Sequence, residues 1–435
     1  MANTRRTSSS SGRRRTASST GRPAPGTAAD GGAPNGGAGA DGPLGSADPG
    51  IRRRDYSGWR SLLNPLWCYH GFRVAVLALT CFGVVMVFSS SAVDMVAAGE
   101  SPWSQAVSQG IYCVLGLAVA FVAMHVPVPM YRRFGAVVVG IAMLLQLLTL
   151  TPLGVTVSGN TGWISVAGVF TIQPAEVMKL ALCIWLPTAL IIARRRFPAE
   201  GIKAYAAPLI VYVACLGLVM LGRDMGTGMI LVMIGVVAFL VGGFPGKWMA
   251  IAIGVVVVAA AAFVISSPNR LNRVLAAYQS CEDTQGVCYQ STHARYAIAS
   301  GGLFGVGIGN SREKWNYLPA AHNDFIFAII GEETGFIGAA LVILLFVVVG
   351  WCMVVMALQS RDRYVAMVLM CIAVWLVGQG LVNIAVVVGL LPVMGVPMPF
   401  VSAGGSSLIM CLAAAGTASS MMRSQPQVRA ESVRA

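Results

Sequence analysis

Ten apolar runs divide the chain, at 72–91, 107–126, 134–151, 175–193, 204–222, 226–243, 247–266, 324–357, 364–390 and 400–421. A helix needs about 20 mostly apolar residues to cross a bilayer. The pattern therefore predicts an all-α integral membrane protein with about ten transmembrane helices. The run at 324–357 exceeds one crossing, which predicts an amphipathic lead-in or a strong tilt. The polar stretch 267–323 is a large loop between helices 7 and 8, and 152–174 is a shorter one.

Basic residues alternate with the runs. Arg132 and Arg133 follow the second, Arg194, Arg195, Arg196 and Lys203 the fourth, Lys247 the sixth, and Arg361 and Arg363 the eighth. The loops 92–106, 152–174 and 391–399 contain no Lys or Arg. Cytoplasmic loops collect Lys and Arg. The expected orientation puts both termini in the cytoplasm and both long loops outside.

Composition agrees with a bilayer. Only 11% of residues are charged, against roughly 25% in soluble domains. The net charge of +13 invites a nucleic-acid reading, but its distribution argues against one. Ten Arg and four Asp lie within residues 1–71, and the other cations sit in short loops, with no folded basic domain. Anionic lipid headgroups are the nearer partner. Residues 1–50 are rich in Ser, Gly, Arg and Ala and have little to bury, which predicts disorder. No cleavable signal peptide is visible ahead of the first run. The expected organisation is a disordered basic cytoplasmic tail at 1–63, a transmembrane domain at 64–422, and a C-terminal cytoplasmic tail at 423–435.

Of ten cysteines, seven lie inside apolar runs, where Cys behaves as a small hydrophobe. Cys281 and Cys288 instead share the large outer loop. That compartment permits a disulfide; the alternative is two thiols that pack. No Cys/His metal spacing occurs.

Ionisable residues in or beside spans are costly and often functional. Glu176 and Lys179 open the fourth span and share a helix face, so they form either an internal ion pair or a cation held near an anionic substrate. Arg223 and Asp224 occupy a Gly-flanked turn. Asp324, after His322 and Asn323, stands where the large loop enters the eighth span. Apolar neighbours there raise a carboxyl pKa, which suits a general base, while Asp also caps helices. Glu332 and Glu333 lie deeper and need partners. Finally, PVMGVPMPFVSAGGSS at 392–407 breaks the helix pattern with three Pro and three Gly and carries Ser402 and Ser406. Irregular backbone at membrane depth lines a cavity or is buried in protein.

Several segments occur together and in order over 64–422: NPLWCYHGFRVAVLALTCFGVVMVFSSSAV, GWISVAGVFTIQPAEVMKLAL, RDMGTGMILV, YAIASGGLFGVGIGNSREKWNYLPAAHNDFIFAIIGEETGFIG and GLLPVMGVPMPFVSAGGSSL. They resemble the SEDS (shape, elongation, division and sporulation) family, and its division branch, in an actinobacterial form, more than its elongation branch. The resemblance implies the SEDS fold and a peptidoglycan glycosyltransferase at the division septum. The implied substrate is lipid II, a disaccharide-peptide on undecaprenyl pyrophosphate. The implied partners are a monofunctional class B penicillin-binding protein transpeptidase and other division membrane proteins. The family's essential acidic residue maps to Asp324. The chain departs from the family pattern at Ala320, Asn323, the Asn160–Trp163 stretch and Arg223.

The chemistry fits these residues. Hydrolysis of a glycosidic bond needs a second carboxyl to protonate the leaving group. Pyrophosphate leaves without that help when its charge is neutralised. Asp324 is then the expected catalytic base. Lys179, Glu176, Trp163, His322, Arg312, Lys314, Ser402 and Ser406 form the expected substrate-binding set. Cys281, Cys288, Glu332, Glu333 and Asp224 are the expected structural residues. A divalent cation, Mg or Mn, is compatible with the pyrophosphate, although no metal-ligand cluster is visible. Ten spans with charges inside also suit a lipid II flippase, and the long tail suits a non-enzymatic division scaffold.

Overall fold

The computed structural model describes residues 58–432, apart from 158–159, 167–169, 279–286, 316–317 and 319–320. The expected disorder of the N-terminal tail thus falls almost wholly outside the described residues. Cys281 and the side chain of Cys288 also lie outside them, and with them the disulfide question.

The helices follow the apolar runs but overshoot them. In chain order they are α1 (Pro65–Ala97), α2 (Ser104–His125) and α3 (Val128–Leu148). Next come α4 (Pro174–Glu200), α5 (Ala206–Leu221), α6 (Met225–Gly242) and α7 (Gly246–Ile265). The large loop contributes α8 (Pro268–Tyr278) and α9 (Val287–Gly301). Then follow α10 (Ile326–Gln359), α11 (Arg363–Ala373), α12 (Gln379–Val387), α13 (Gly405–Arg423) and a short α14 (Pro426–Ser432). Boundaries have local causes. Asn64 caps α1 by accepting from Leu66 N–H, with Pro65 in the first turn, and Asp362 caps α11 in the same way through Tyr364.

Among the described residues, nine helical stretches are long and apolar enough to cross a membrane. One of them, Pro174–Leu221, counts 48 residues and is two antiparallel helices. A 3-10 turn at Gly201–Tyr205 separates α4 from α5, and Gly201 supplies a φ of 59° there. The fold-back is fixed by contact of its two ends: Gln173, just before α4, donates to Asp224, just after α5, at 2.9 Å. The ten expected crossings are therefore present, with α11 and α12 forming one crossing through a π-helical turn at Val374–Gly378.

Two features go beyond the hydropathy pattern. The loop 152–174 folds as a three-stranded antiparallel meander of β1 (Gly154–Val157), β2 (Asn160–Val166) and β3 (Phe170–Ile172). The over-long eighth run is neither one tilted helix nor an amphipathic lead-in. It breaks at Gly335, whose φ of 70° and ψ of −167° no helix permits.

Burial is unequal. Most of α13 and of the α11–α12 crossing is buried, whereas α2, α3 and α7 expose most of their length. The close approach of α2 to α13 depends on small residues: a Cβ added at Gly416 would lie 2.3 Å from Ala120 O. Small residues allow this backbone contact where lipid offers no hydrophobic drive between helices.

Candidate functional site

The site lies at the end of the bundle where α1 ends and where α6, α10 and α13 begin. Its centre is the turn Ala321–Phe325, which leads into α10. Three successive carbonyls of this turn are gripped by other elements. His322 O accepts from Ala403 N–H at 3.0 Å. Asn323 O accepts from Ser402 Oγ at 2.7 Å, and Asp324 O from Asn383 Nδ2 at 2.8 Å. The same Asn383 amide donates to Val396 O at 2.8 Å. The Pro-rich segment between α12 and α13 and the turn are thus stapled together, and the Asp324 carboxyl is left free of these bonds.

That carboxyl faces the Pro-rich wall. A Cβ added at Gly395 would sit 3.7 Å from Asp324 Oδ2, and Gly395 has a φ of 70°. Desolvation beside the wall raises the Asp324 pKa from 3.8 to about 6. The Arg273 guanidinium on α8 opposes the rise, and the Asp224 carboxylate adds to it. A carboxylate with this pKa is ionised near neutral pH and still basic enough to accept a proton.

The wall is built tightly. Val396, Met398, Phe400 and Val401 are buried, and a Cβ at Gly83 would meet Phe400 O at 2.4 Å, so only glycine lets α1 approach. Ser402 is buried and fully engaged, accepting from Met398 N–H at 2.7 Å while donating to Asn323 O. The expectation that Ser402 contacts substrate is corrected: its hydroxyl holds the turn. Ser406 stays partly exposed and accepts weakly from Gln173 N–H.

Both lysines expected to meet pyrophosphate are corrected in the same way. Lys179 is 1% exposed, as is Glu176, and the two pair at 2.8 Å. Lys179 Nζ also donates to Gln379 Oε1 at 2.9 Å and lies 5.1 Å from the Trp375 ring centroid. An ammonium has three N–H groups, and this one is enclosed by three partners. Lys314 is buried against Glu333 at 3.0 Å and donates to Gly309 O at 2.7 Å. Ser89 also donates to Glu333. Glu332 receives Ser311 Oγ and Arg312 N–H. Glu332 and Glu333 therefore tie the loop after α9 to α10, the structural role expected of them. Asp224 is structural too, capping α6 through Thr227 N–H while accepting from Gln173.

His322 does not orient Asp324. Its Nδ1 lies 3.2 Å from Asp94 Oδ2 in the last turn of α1. Trp163 sits in mid-strand, paired with Val155, and its sheet is tied to Gly222 through Thr161. The Arg312 side chain is exposed. Among the described residues, no group of three or more His, Cys, Asp or Glu side chains is placed to hold a metal. Both Asp224 oxygens are engaged, so Asp324 faces the site without a second free carboxylate from that side.

Sequence reasoning missed Asn383, Gln379 and Arg273. The first two carried a signal. Trp375, Gln379 and Asn383 recur every fourth residue in an apolar run, which places polar groups on one face of a buried helix. Gln379 accepts from Trp375 Nε1 and donates to Pro397 O. Arg273 carried no signal, since nothing local connects α8 to Asp324.

Comparison with known proteins identifies the family of the chain. Residues 70–426 match the family model described as cell cycle protein, FtsW/RodA/SpoVE. A Mycobacterium tuberculosis protein named probable peptidoglycan glycosyltransferase FtsW is 34% identical over 387 residues, covering 88% of this chain and 72% of that protein. Stage V sporulation protein E of Bacillus subtilis is 35% identical over 345 residues, covering 79% and 93%. Among solved structures, a chain of a peptidoglycan synthase complex, described as coordinating polymerization and crosslinking, superposes with a TM-score of 0.66 at 26% identity, covering 82% of this chain and 98% of that one. Thermus thermophilus RodA superposes with a TM-score of 0.61 at 26% identity, covering 83% and 97%.

Proposed function

Because the chain belongs to the FtsW, RodA and SpoVE family of cell cycle proteins, we propose that it is a peptidoglycan glycosyltransferase that polymerises lipid II, with Asp324 as general base. The observation that supports this reading most is the Asp324 turn. Three consecutive carbonyls are clamped, while the carboxyl stands against an apolar wall with its pKa raised to about 6.

The chemistry then needs few parts. The Asp324 carboxylate takes the proton from the 4-hydroxyl of an incoming sugar. The oxygen attacks the anomeric carbon of the donor in line, the bond to pyrophosphate breaks, and inversion converts an α-linked donor into a β-linked strand. With Lys179 and Lys314 enclosed, the exposed guanidiniums of Arg273 and Arg312 are the better candidates to meet pyrophosphate. A divalent cation, Mg or Mn, would reach the site with the pyrophosphate, since the described residues form no cage for it. No step above depends on it.

Orientation and setting belong to the same proposal. Arg132, Arg194, Arg363 and Arg423 lie at the helix ends opposite the Asp324 end, which supports a cytoplasmic placement for that end and an extracytoplasmic one for Asp324. A flipped lipid II presents its sugars on that outer side. The named relatives and the synthase complex support a septal role with a class B penicillin-binding protein as transpeptidase partner.

The test is polymerisation of lipid II by the purified full chain with its partner transpeptidase in liposomes. Asp324→Asn abolishes glycan product while folding and partner binding persist. Polymer formed by Asp324→Asn at the normal rate overturns the base assignment. Lipid II translocation by the wild-type chain without any polymer favours a flippase instead.

A further inference from the structure

The stretch between α9 and the site turn has a property that the catalytic reading does not use. Leu303, Phe304, Val306 and Ile308 are 63%, 80%, 40% and 59% exposed, in a segment that is neither helix nor strand. Its backbone, in contrast, is turned inward. Val306 N–H donates to Glu332 O at 2.9 Å and Gly307 N–H to Glu333 O at 3.0 Å. In return, Phe336 N–H donates to Gly302 O at 2.9 Å and Ile337 N–H to Leu303 O at 3.2 Å. These bonds fill the gap that the break at Gly335 opens in α10. The contact is close enough that a Cβ at Gly335 would lie 2.3 Å from Gly305 N. Beneath the loop, Glu332 and Glu333 are occupied by Ser311, Arg312 N–H, Ser89 and Lys314.

We propose that Leu303–Ile308 is a membrane wedge, seated among the lipid chains at the headgroup boundary of the leaflet on the Asp324 side. Non-helical backbone is tolerated against lipid where its polar groups are satisfied within the protein, and here the N–H groups of Val306 and Gly307 and the carbonyls of Gly302 and Leu303 bond to α10 while the apolar side chains are exposed. The depth agrees. From Gly335 to Gln359 a helix rises roughly 36 Å, slightly more than the roughly 30 Å hydrocarbon core. Gln359 marks the opposite end, where it donates to Leu63 O. The wedge therefore sits at the edge of the core. Its apolar surface continues into the exposed Phe336, Ile337 and Leu341 of α10, a helix long and apolar enough to cross the membrane. Exposed Trp315 and Arg312 follow on the polar side, the residue types that favour the headgroup layer. The occupant is bilayer lipid, and the consequence is that the loop bearing Arg312 and leading to Asp324 is held at a fixed height above the membrane.

The test uses the full chain with p-benzoylphenylalanine in place of Phe304 or, separately, Ile308. Each protein is reconstituted in phosphatidylethanolamine–phosphatidylglycerol liposomes and irradiated, and adducts are identified by mass. Leu344 on α10 serves as the lipid-facing control and exposed Glu100 as the aqueous reference. Positions 304 and 308 should give phospholipid adducts near the Leu344 yield and on the order of tenfold above Glu100, as expected for groups at the acyl boundary. Yields at 304 and 308 no higher than at Glu100, with Leu344 labelled normally, overturn the proposal. So do crosslinks from 304 to a second protein in place of lipid when the same irradiation is done on native membranes.

Discussion

Carboxylates meet apolar surroundings in two parts of this molecule, and the outcomes differ. At Glu176–Lys179 and Glu333–Lys314 the acid is buried together with a cation that it pairs with directly, at 2.8 and 3.0 Å. At Asp324 the opposing cation is the exposed Arg273 on a separate loop helix, and desolvation wins, lifting the pKa to about 6. The backbone around Asp324 is bonded as densely as the ion pairs, but through its carbonyls. Backbone bonding is thus common to both regions, and only at Asp324 is the carboxyl left without a bonded cation. A sequence shows the same charged letters in each case.

The strongest way to break this contrast is to remove the reactive group. Asp324→Asn keeps the size and the gripped carbonyls, so polymerisation of lipid II should fall by about 10²–10⁴-fold, the usual worth of a positioned base, with the melting temperature little changed. A large loss of melting temperature would instead put Asp324 among the structural carboxylates.

The ion-pair region should respond in the opposite sense. Lys179→Met leaves Glu176 charged and buried, which costs about 3–5 kcal/mol of stability, read as thermal unfolding in nanodiscs. Glu176→Gln with Lys179→Met should recover most of that loss. If the double variant folds as well as wild type but makes no polymer, Lys179 does more than hold the helices together.

Asn383→Ala probes the link between the two regions. It removes two hydrogen bonds and leaves the Asp324 and Val396 carbonyls without their partner, costing about 1–3 kcal/mol. The turn loosens, water reaches Asp324, and the acid limb of activity moves down toward the ordinary carboxylate range. Glycan synthesis should drop about tenfold, since a slightly misplaced base loses orientation. An unchanged pH profile would show that Asn383 only braces the wall.

The smallest effect is electrostatic. If Asp324 is the base, as proposed, activity should fall as pH drops through about 6. The fold disfavours the charged form, so the stability linked to this group is full below the ordinary value of 3.8 and declines as pH rises through about 6. Arg273 favours the charged form. Arg273→Ala should therefore shift the acid limb upward, by less than about one unit because the guanidinium is solvent-exposed and screened. A downward shift would reverse the sign of its influence on Asp324.

Legibility in the sequence tracked how local each cause is. Hydropathy located the crossings because lipid contact is a property of single runs, and Asp324 stood out because a charge at the edge of a span is costly wherever it points. Glu176 and Lys179 were readable as neighbours three residues apart, but whether their charges faced a substrate or each other depended on Gln379 and Trp375, some 200 residues later. Ser402 looked like a free hydroxyl until Asn323 and Met398 claimed both its donor and its acceptor.

The sequence by itself determined the membrane-spanning character and the number of crossings, and it singled out Asp324 as a charge at the edge of a span. These follow from composition and from the length an apolar helix must have. Only the tertiary structure decided which charges are spent and which remain. It closed Lys179 and Lys314 inside ion pairs, brought Arg273 toward Asp324, split α10 at Gly335 so that a loop could fill the gap, and assigned Asn383 to hold the turn. The physical reason is that burial and pairing are set by what lies opposite a side chain. In a bundle of antiparallel helices, that neighbour is usually far away along the chain.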